Sequence, residues 1–146
     1  MSISMRNQDG YYDFTAYEAL NAVTAAEHSS YRPLVYIASP FAGDMERNIT
    51  KAQRYCRSAV DRGCIPLAPH LLYPQFMDDN DEKQRKLGLC FALALLEKCD
   101  ELWVFGDRIS GGMTREISMA QRRGIPVRYY KGEGLMGYGT QDRIRG

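Results

Sequence analysis

Residues 100–130 constrain the fold more than any other stretch of this chain. Glu101-Leu102-Trp103-Val104-Phe105 is a short apolar run between Asp100 and Gly106, the pattern of a strand buried on both faces. A glycine-bearing loop follows, Gly106-Asp107-Arg108-Ile109-Ser110-Gly111-Gly112. A helical segment comes next, and a second apolar strand begins after Gly124-Ile125-Pro126. A loop that joins a strand to a helix in this way points backbone N–H groups at one spot above the sheet. A helix starting at Gly112 or Met113 holds Glu116 in its first turn, where the helix dipole favours an ionised carboxylate. One element thus offers an anion cradle and a carboxylate, a combination suited to a small phosphorylated or sugar-bearing ligand.

The rest of the chain repeats the same alternation. Leu34-Val35-Tyr36-Ile37-Ala38, between Pro33 and Pro40, reads as a central strand. After the loop Ser39 to Asp44, a helix is expected from Met45 to about Arg62, with Ile49, Ala52, Cys56, Ala59 and Val60 recurring at helical spacing and Gly63 as its stop. Cys64 to Ala68 is a strand whose Pro66 argues for an edge. An acidic loop, Asp78-Asp79-Asn80-Asp81, leads into a helix running to about Cys99, with Leu89, Ala92, Leu93 and Leu96 inward. Strands alternating with helices predict an α/β fold: a flavodoxin- or Rossmann-like three-layer sandwich with a parallel sheet of four or five strands in the order 2-1-3-4. The switch point of that order lies between the Tyr36 and Trp103 strands, and loops 39–45 and 106–113 meet there. Residues 1–31 read as an extension with a peripheral helix from Asp13 to Glu27, residues 32–130 as the domain, and the glycine-rich residues 131–146 as a flexible tail.

Composition narrows the function classes. At 146 residues one domain is the natural count, and 19 basic against 18 acidic residues leave a net charge of +1. That balance gives no footprint for a nucleic-acid polymer and no polybasic patch for a membrane surface. No apolar run is long enough to cross a bilayer, and Met1 to Gly10 lacks the apolar core of a secretory signal, so a cytoplasmic protein is expected. Cys56, Cys64, Cys90 and Cys99 form no Cys-x-x-Cys pair and only His28 and His70 accompany them. No metal and no cofactor are therefore expected, and Cys56, Cys90 and Cys99 read as buried free thiols.

Each candidate residue has a plain structural reading beside the functional one. Glu116 is a nucleophile, or a carboxylate that stabilises an oxocarbenium-like sugar carbon, or it merely caps its helix. Ser110, Gly111, Gly112 and Met113 form a cradle or a tight turn. Tyr36 holds the glutamate or is a core aromatic. His70 contacts ligand, carries a proton, or bonds a carbonyl. Ser39, Pro40, Phe41 and Asn48 flank the same strand end, and Asp44 suits a helix cap. The acidic loop lacks the glycine and twelfth-position glutamate of a calcium loop, and reads as a solvated segment.

Two blocks, Tyr36-Ile37-Ala38-Ser39-Pro40-Phe41 and Ser110-Gly111-Gly112-Met113-Thr114-Arg115-Glu116-Ile117 with Ala120, resemble the nucleoside 2-deoxyribosyltransferase superfamily, which includes the 2′-deoxynucleoside 5′-phosphate N-hydrolases. The likeness covers about Leu34 to Tyr130 and is greater still to a poorly characterised bacterial and phage branch. It implies cleavage or transfer at the N-glycosidic bond of a nucleoside or nucleotide. Glu116 matches the glutamate that attacks the anomeric carbon, Tyr36 the tyrosine that orients it, and Ser110 and Gly112 the loop touching the sugar or its 5′-phosphate. The resemblance also implies a homodimer or larger assembly whose neighbouring subunit helps close each site. The characterised enzymes carry an aspartate on the helix before the Trp103 strand to handle the leaving base. The matching stretch, Lys86 to Phe91, holds no acid, and Ser39 replaces a usual glycine. His70 or a loop aspartate would have to serve instead. A non-catalytic nucleotide-binding or sensing module is the alternative, and a partner-binding protein docking through residues 1–31 a third.

Overall fold

The computed structural model describes residues 31–131 and 141–143. By internal contacts the chain divides into Met1–Tyr31 and Arg32–Gly146, and the described strands and helices all belong to the second unit. The helix expected over Asp13 to Glu27 lies outside the described residues.

The sheet has five strands: β1 (Leu34–Ala38), β2 (Ile65–Leu67), β3 (Glu101–Phe105), β4 (Val127–Tyr130) and β5 (Gln141–Arg143), in the order β2-β1-β3-β4-β5. The first four are parallel, in the expected order 2-1-3-4, with Ile37 opposite Trp103 and Trp103 opposite Arg128. Pro66 sits in β2 at the edge, where its missing N–H costs no ladder bond. β5 pairs antiparallel with β4, so part of the segment read as a tail completes the sheet. Its composition concealed this, because three residues between glycines carry too little pattern to read as a strand.

Side-chain alternation along the strands decides which helix covers which face. Val35, Ile37, Trp103, Phe105 and Tyr130 pack with Tyr55 and Ala59 of α1 (Met45–Asp61). Tyr36, Ala38, Leu102, Val104 and Val127 point the other way. They meet Ala92 and Leu96 of α3 (Glu82–Leu96) and Met113 and Ala120 of α4 (Gly111–Arg123). Between β2 and α3 lie α2 (Pro69–Leu72) and a 3-10 turn, Tyr73–Gln75. Asp44 caps α1, its carboxylate accepting from the Arg47 N–H at 3.3 Å. Glu97, just past α3, pairs with Arg123 at 2.7 Å and ties α3 to α4 at the surface.

The inward stripe of α1 and the placement of one cysteine on α3 differ from the sequence pattern. In α1 the buried positions are Ala52, Tyr55, Ser58 and Ala59, while Val60 is exposed. Tyr55 takes the place by stacking on Phe105, ring centroids 4.3 Å apart, which rotates the stripe away from Val60. In α3 Ala92 and Leu96 are buried with Leu93 packed beside them. Cys90 lies off that stripe and is exposed, which corrects its reading as a buried thiol; Cys99 is buried, and Cys56 and Cys64 are partly so. No helix among the described residues is long and apolar enough to cross a membrane.

Candidate active site

Tyr36 is the third residue of β1 and points toward α4. Met113 and Ala120 are the buried residues of α4, and Glu116 stands three after one and four before the other. It therefore shares their face, turned at the sheet. The two side chains meet there: the Tyr36 hydroxyl donates to Glu116 Oε2 at 2.5 Å. Tyr36 is 1% exposed, so its ring is a core aromatic and its hydroxyl a fixed donor at the core's rim.

Burial outweighs this bond in setting the carboxyl's acidity. Desolvation pushes Glu116 up to about 7, and the Tyr36 hydrogen bond pulls in the opposite direction. The Tyr36 phenol is itself raised, by burial first and then by the charge of Glu116. The sequence expectation of a dipole-stabilised carboxylate is thereby corrected. α4 starts at Gly111 with Ser110 as its N-cap, which places Glu116 sixth in the helix. The dipole's effect fades within the first turn, and burial decides instead.

Tyr36 and Glu116 border a hollow that is open to solvent. Its walls come from the segment after β2 and from α3: His70, Tyr73 and Met77, then Asp78, Asp79, Gln84, Arg85 and Leu89. Asp78 and Asp79, read from sequence as a solvated loop, thus face the same space as the glutamate. Gln84 fixes this loop at both ends. Its carboxamide oxygen accepts from the Asp78 N–H at 2.8 Å, and its amide nitrogen donates to Asp81 Oδ2 at 3.0 Å. No spacing rule marks such a loop, because the contact is made by tertiary folding of α2 and α3 against β1.

His70 lines the same cavity and touches Ser39, its Nε2 3.0 Å from the serine Oγ. Phe41 stands edge-on to the imidazole with ring centroids 6.1 Å apart. Burial lowers His70 to about 4, so the ring is neutral near pH 7.

Ser39 also borders a second cavity on the α1 side, with Pro40, Asn48, Lys51, Tyr55, Gly106, Asp107 and Arg108. This is the predicted meeting of the β1 and β3 loops. Gly106 has φ +104°, and a Cβ there would come within 3.2 Å of Pro40 Cδ. Asn48 spends its amide on the loop, donating to the carbonyls of Phe41 and Ala42 at 3.0 Å each. The two cavities adjoin across the Ser39–His70 contact. The sequence pointed to one site at the switch point; the structure divides its residues between two hollows, one on each side of β1.

Ser110, Gly111, Gly112 and Met113 line neither cavity. Ser110 Oγ accepts from the Met113 N–H at 3.3 Å, and the Ser110 N–H donates to the Met113 sulfur at 3.5 Å. Met113 is buried in the core, and the positive φ expected of a tight turn is absent from Gly111 and Gly112. The segment starts a helix, with open space above Gly111 and only Ser110 Oγ, at 4.0 Å, near a Cβ on Gly112. Among the described residues no group of three or more His, Cys, Asp or Glu side chains is placed to hold a metal ion.

Among solved structures, a 2-deoxyribosyltransferase from the psychrotolerant bacterium Bacillus psychrosaccharolyticus is similar in fold. The TM-score is 0.55 at 20% identity, over 67% of this chain and 72% of that one. No curated protein matches the chain. Residues 33–130 match the model of a domain family of unknown function, DUF7768, and the chain belongs to that family.

Proposed function

We propose that this protein cleaves or transfers the N-glycosidic bond of a deoxynucleoside or its 5′-phosphate, with Glu116 as nucleophile. The observation that carries the reading is the Tyr36–Glu116 pair: a carboxyl whose pKa is raised by burial, held by a fixed hydroxyl at the rim of an open cavity. The fold likeness to a 2-deoxyribosyltransferase supports it, while fold alone does not assign chemistry.

In this reading the base lies against Tyr73, Met77 and Leu89, and the sugar carbon C1′ faces Glu116. One Glu116 oxygen attacks C1′ while Tyr36 holds the other. The base departs and leaves a glycosyl ester; water or a second base then attacks C1′ and frees the carboxylate. A 5′-phosphate would reach the second cavity, where Lys51 and Arg108 stand at its wall. His70, neutral near pH 7, serves in the wall and hydrogen-bonds Ser39 rather than donating a proton as a cation.

The test is base release. Incubation with deoxynucleosides and their 5′-monophosphates, followed by chromatography, should give free base. Glu116→Ala should abolish it with melting temperature retained. Unchanged release in Glu116→Ala would reject the nucleophile.

A non-catalytic nucleotide-binding module is the second reading, favoured by the absence of an acid from Lys86 to Phe91 on α3. It predicts a thermal shift with nucleotide and full recovery of the intact ligand.

A further inference from the structure

Cleavage of a glycosidic bond to a neutral base leaves negative charge on the departing nitrogen unless a proton arrives with it. The cavity walls offer several groups that could carry one. Tyr36 is committed to Glu116. His70 faces Ser39 through its Nε2. Arg85 is a permanent cation. Asp78 Oδ1 accepts from the Asn80 N–H at 2.9 Å, which fixes that carboxylate in the turn. Tyr73 has its ring in a cluster with Phe76 and Phe91, centroids 5.8 Å and 5.5 Å away. Asp79 differs from all of these. It lines the cavity with Glu116, and among the described residues its carboxylate has no hydrogen bond or ion pair. Gln84 holds the loop on either side of it, at the Asp78 N–H and at the Asp81 carboxylate.

We propose that Asp79 is the acid–base residue for the leaving base, held over the cavity by the Gln84 clamp. This rests on the glycosidic reading above. The Asp79 carboxyl, acting as the acid, faces the base nitrogen. As a Glu116 oxygen bonds to C1′, the C1′–N electron pair moves onto the base, and the Asp79 O–H delivers its proton there. The products are a Glu116 glycosyl ester, a neutral base and the Asp79 carboxylate. In hydrolysis a water oxygen then bonds to C1′, its proton goes to Asp79, and Glu116 leaves as the carboxylate. The acid thus comes from the loop before α3, not from the body of that helix.

Two substrates separate this role from the nucleophile's. A neutral purine deoxynucleoside needs a proton on its departing base. 7-Methyl-2′-deoxyguanosine carries its positive charge already and releases a neutral base without one. Asp79→Asn should cost roughly 100-fold or more in the first-turnover rate of base release on the neutral substrate and less than about threefold on the methylated one. Glu116→Ala should abolish both. Asp78→Asn and Tyr73→Phe should leave the ratio of first-turnover rates between substrates unchanged, and Gln84→Ala should lower that rate on the neutral substrate more than on the methylated one. Asp79 is exposed, and an unchanged melting temperature in Asp79→Asn will show that the loop variant folds. Equal losses on both substrates, no loss on the neutral one, or a substrate-selective loss in Asp78→Asn or Tyr73→Phe instead would overturn the assignment. Selective loss in Asp79→Asn alongside full activity in Glu116→Ala would keep the acid and sink the nucleophile. No release from either substrate by the wild-type protein would sink both.

Discussion

Glu116 carries a conflict between stability and use. Its folded acidity near pH 7 lies above its ordinary value of 4.5, so the folded protein holds more protons than the unfolded chain between those two pH values. The stability this group contributes is present below about pH 4.5 and is lost as pH rises toward 7. Glu116→Gln, which never ionises, should therefore be more stable than wild type at pH 8 by roughly 1 to 3 kcal/mol and little different at pH 4, as read by urea unfolding at both pH values. The nucleophile must be ionised, so on the methylated substrate, which needs no acid, the rate should climb with pH around a midpoint near 7. The Tyr36 hydrogen bond lowers the pKa of Glu116. Tyr36→Phe should thus move the midpoint to higher pH and cut the plateau about 100-fold through lost aim; a profile with an unmoved midpoint would show that the hydroxyl does not tune the acid. In the second cavity, Arg108→Ala should raise KM for a 5′-monophosphate about tenfold and leave the free nucleoside unchanged, as fits a surface charge pair. Equal effects on both substrates would remove the phosphate from that hollow. At this scale the sequence was legible where a spacing fixes a face. Glu116 at three and four from apolar Met113 and Ala120 had to turn inward. Asp79 was not legible, because its facing depends on how α2, the 3-10 turn and α3 fold over Tyr36.

The elements were readable from their punctuation. Pro33, Gly63 and Gly124 mark ends, and Asp44 and Ser110 mark starts, each acting through local backbone chemistry. The Ser110-Gly111-Gly112 segment was ambiguous in the sequence, because glycines and a serine before a helix suit a ligand cradle and a helix start equally well. Ser110→Ala should cost about 0.5 to 2 kcal/mol as a lost cap. If the segment is only a helix start, the activity of that variant should track its stability; a KM change far beyond it would restore the cradle. Gly106 answers to a different constraint. A side chain there faces both a positive φ and Pro40, so Gly106→Ala should destabilise the protein by about 1 to 3 kcal/mol and disturb the second cavity more than the first.

For the molecule as a whole, the sheet order followed from alternation and the right-handed crossover, and the structure has it. What the order alone did not settle was the side of β1 on which ligand chemistry gathers. The switch point marks the gap between β1 and β3, yet the cavity holding Glu116 is walled by elements after β2, on the α3–α4 face. Pleating decides this. Tyr36 and Ile37 are adjacent in sequence and point to opposite layers, so the reactive pair lies on one face while Lys51 and Arg108 border the other hollow. The central claim spans both scales: a carboxylate on a buried helix face borders an open hollow and bonds to a sugar carbon there. Its most direct measurement is a covalent trap. A 2′-fluorinated deoxynucleoside, whose electron-withdrawing fluorine slows breakdown of the glycosyl ester, is mixed with the protein, and the acid-quenched digest is mapped by mass spectrometry. The account predicts one fluorosugar on the peptide bearing Glu116, with stoichiometric base release and no adduct in Glu116→Ala. Base release without an adduct on that peptide, or an adduct on another residue, would contradict it.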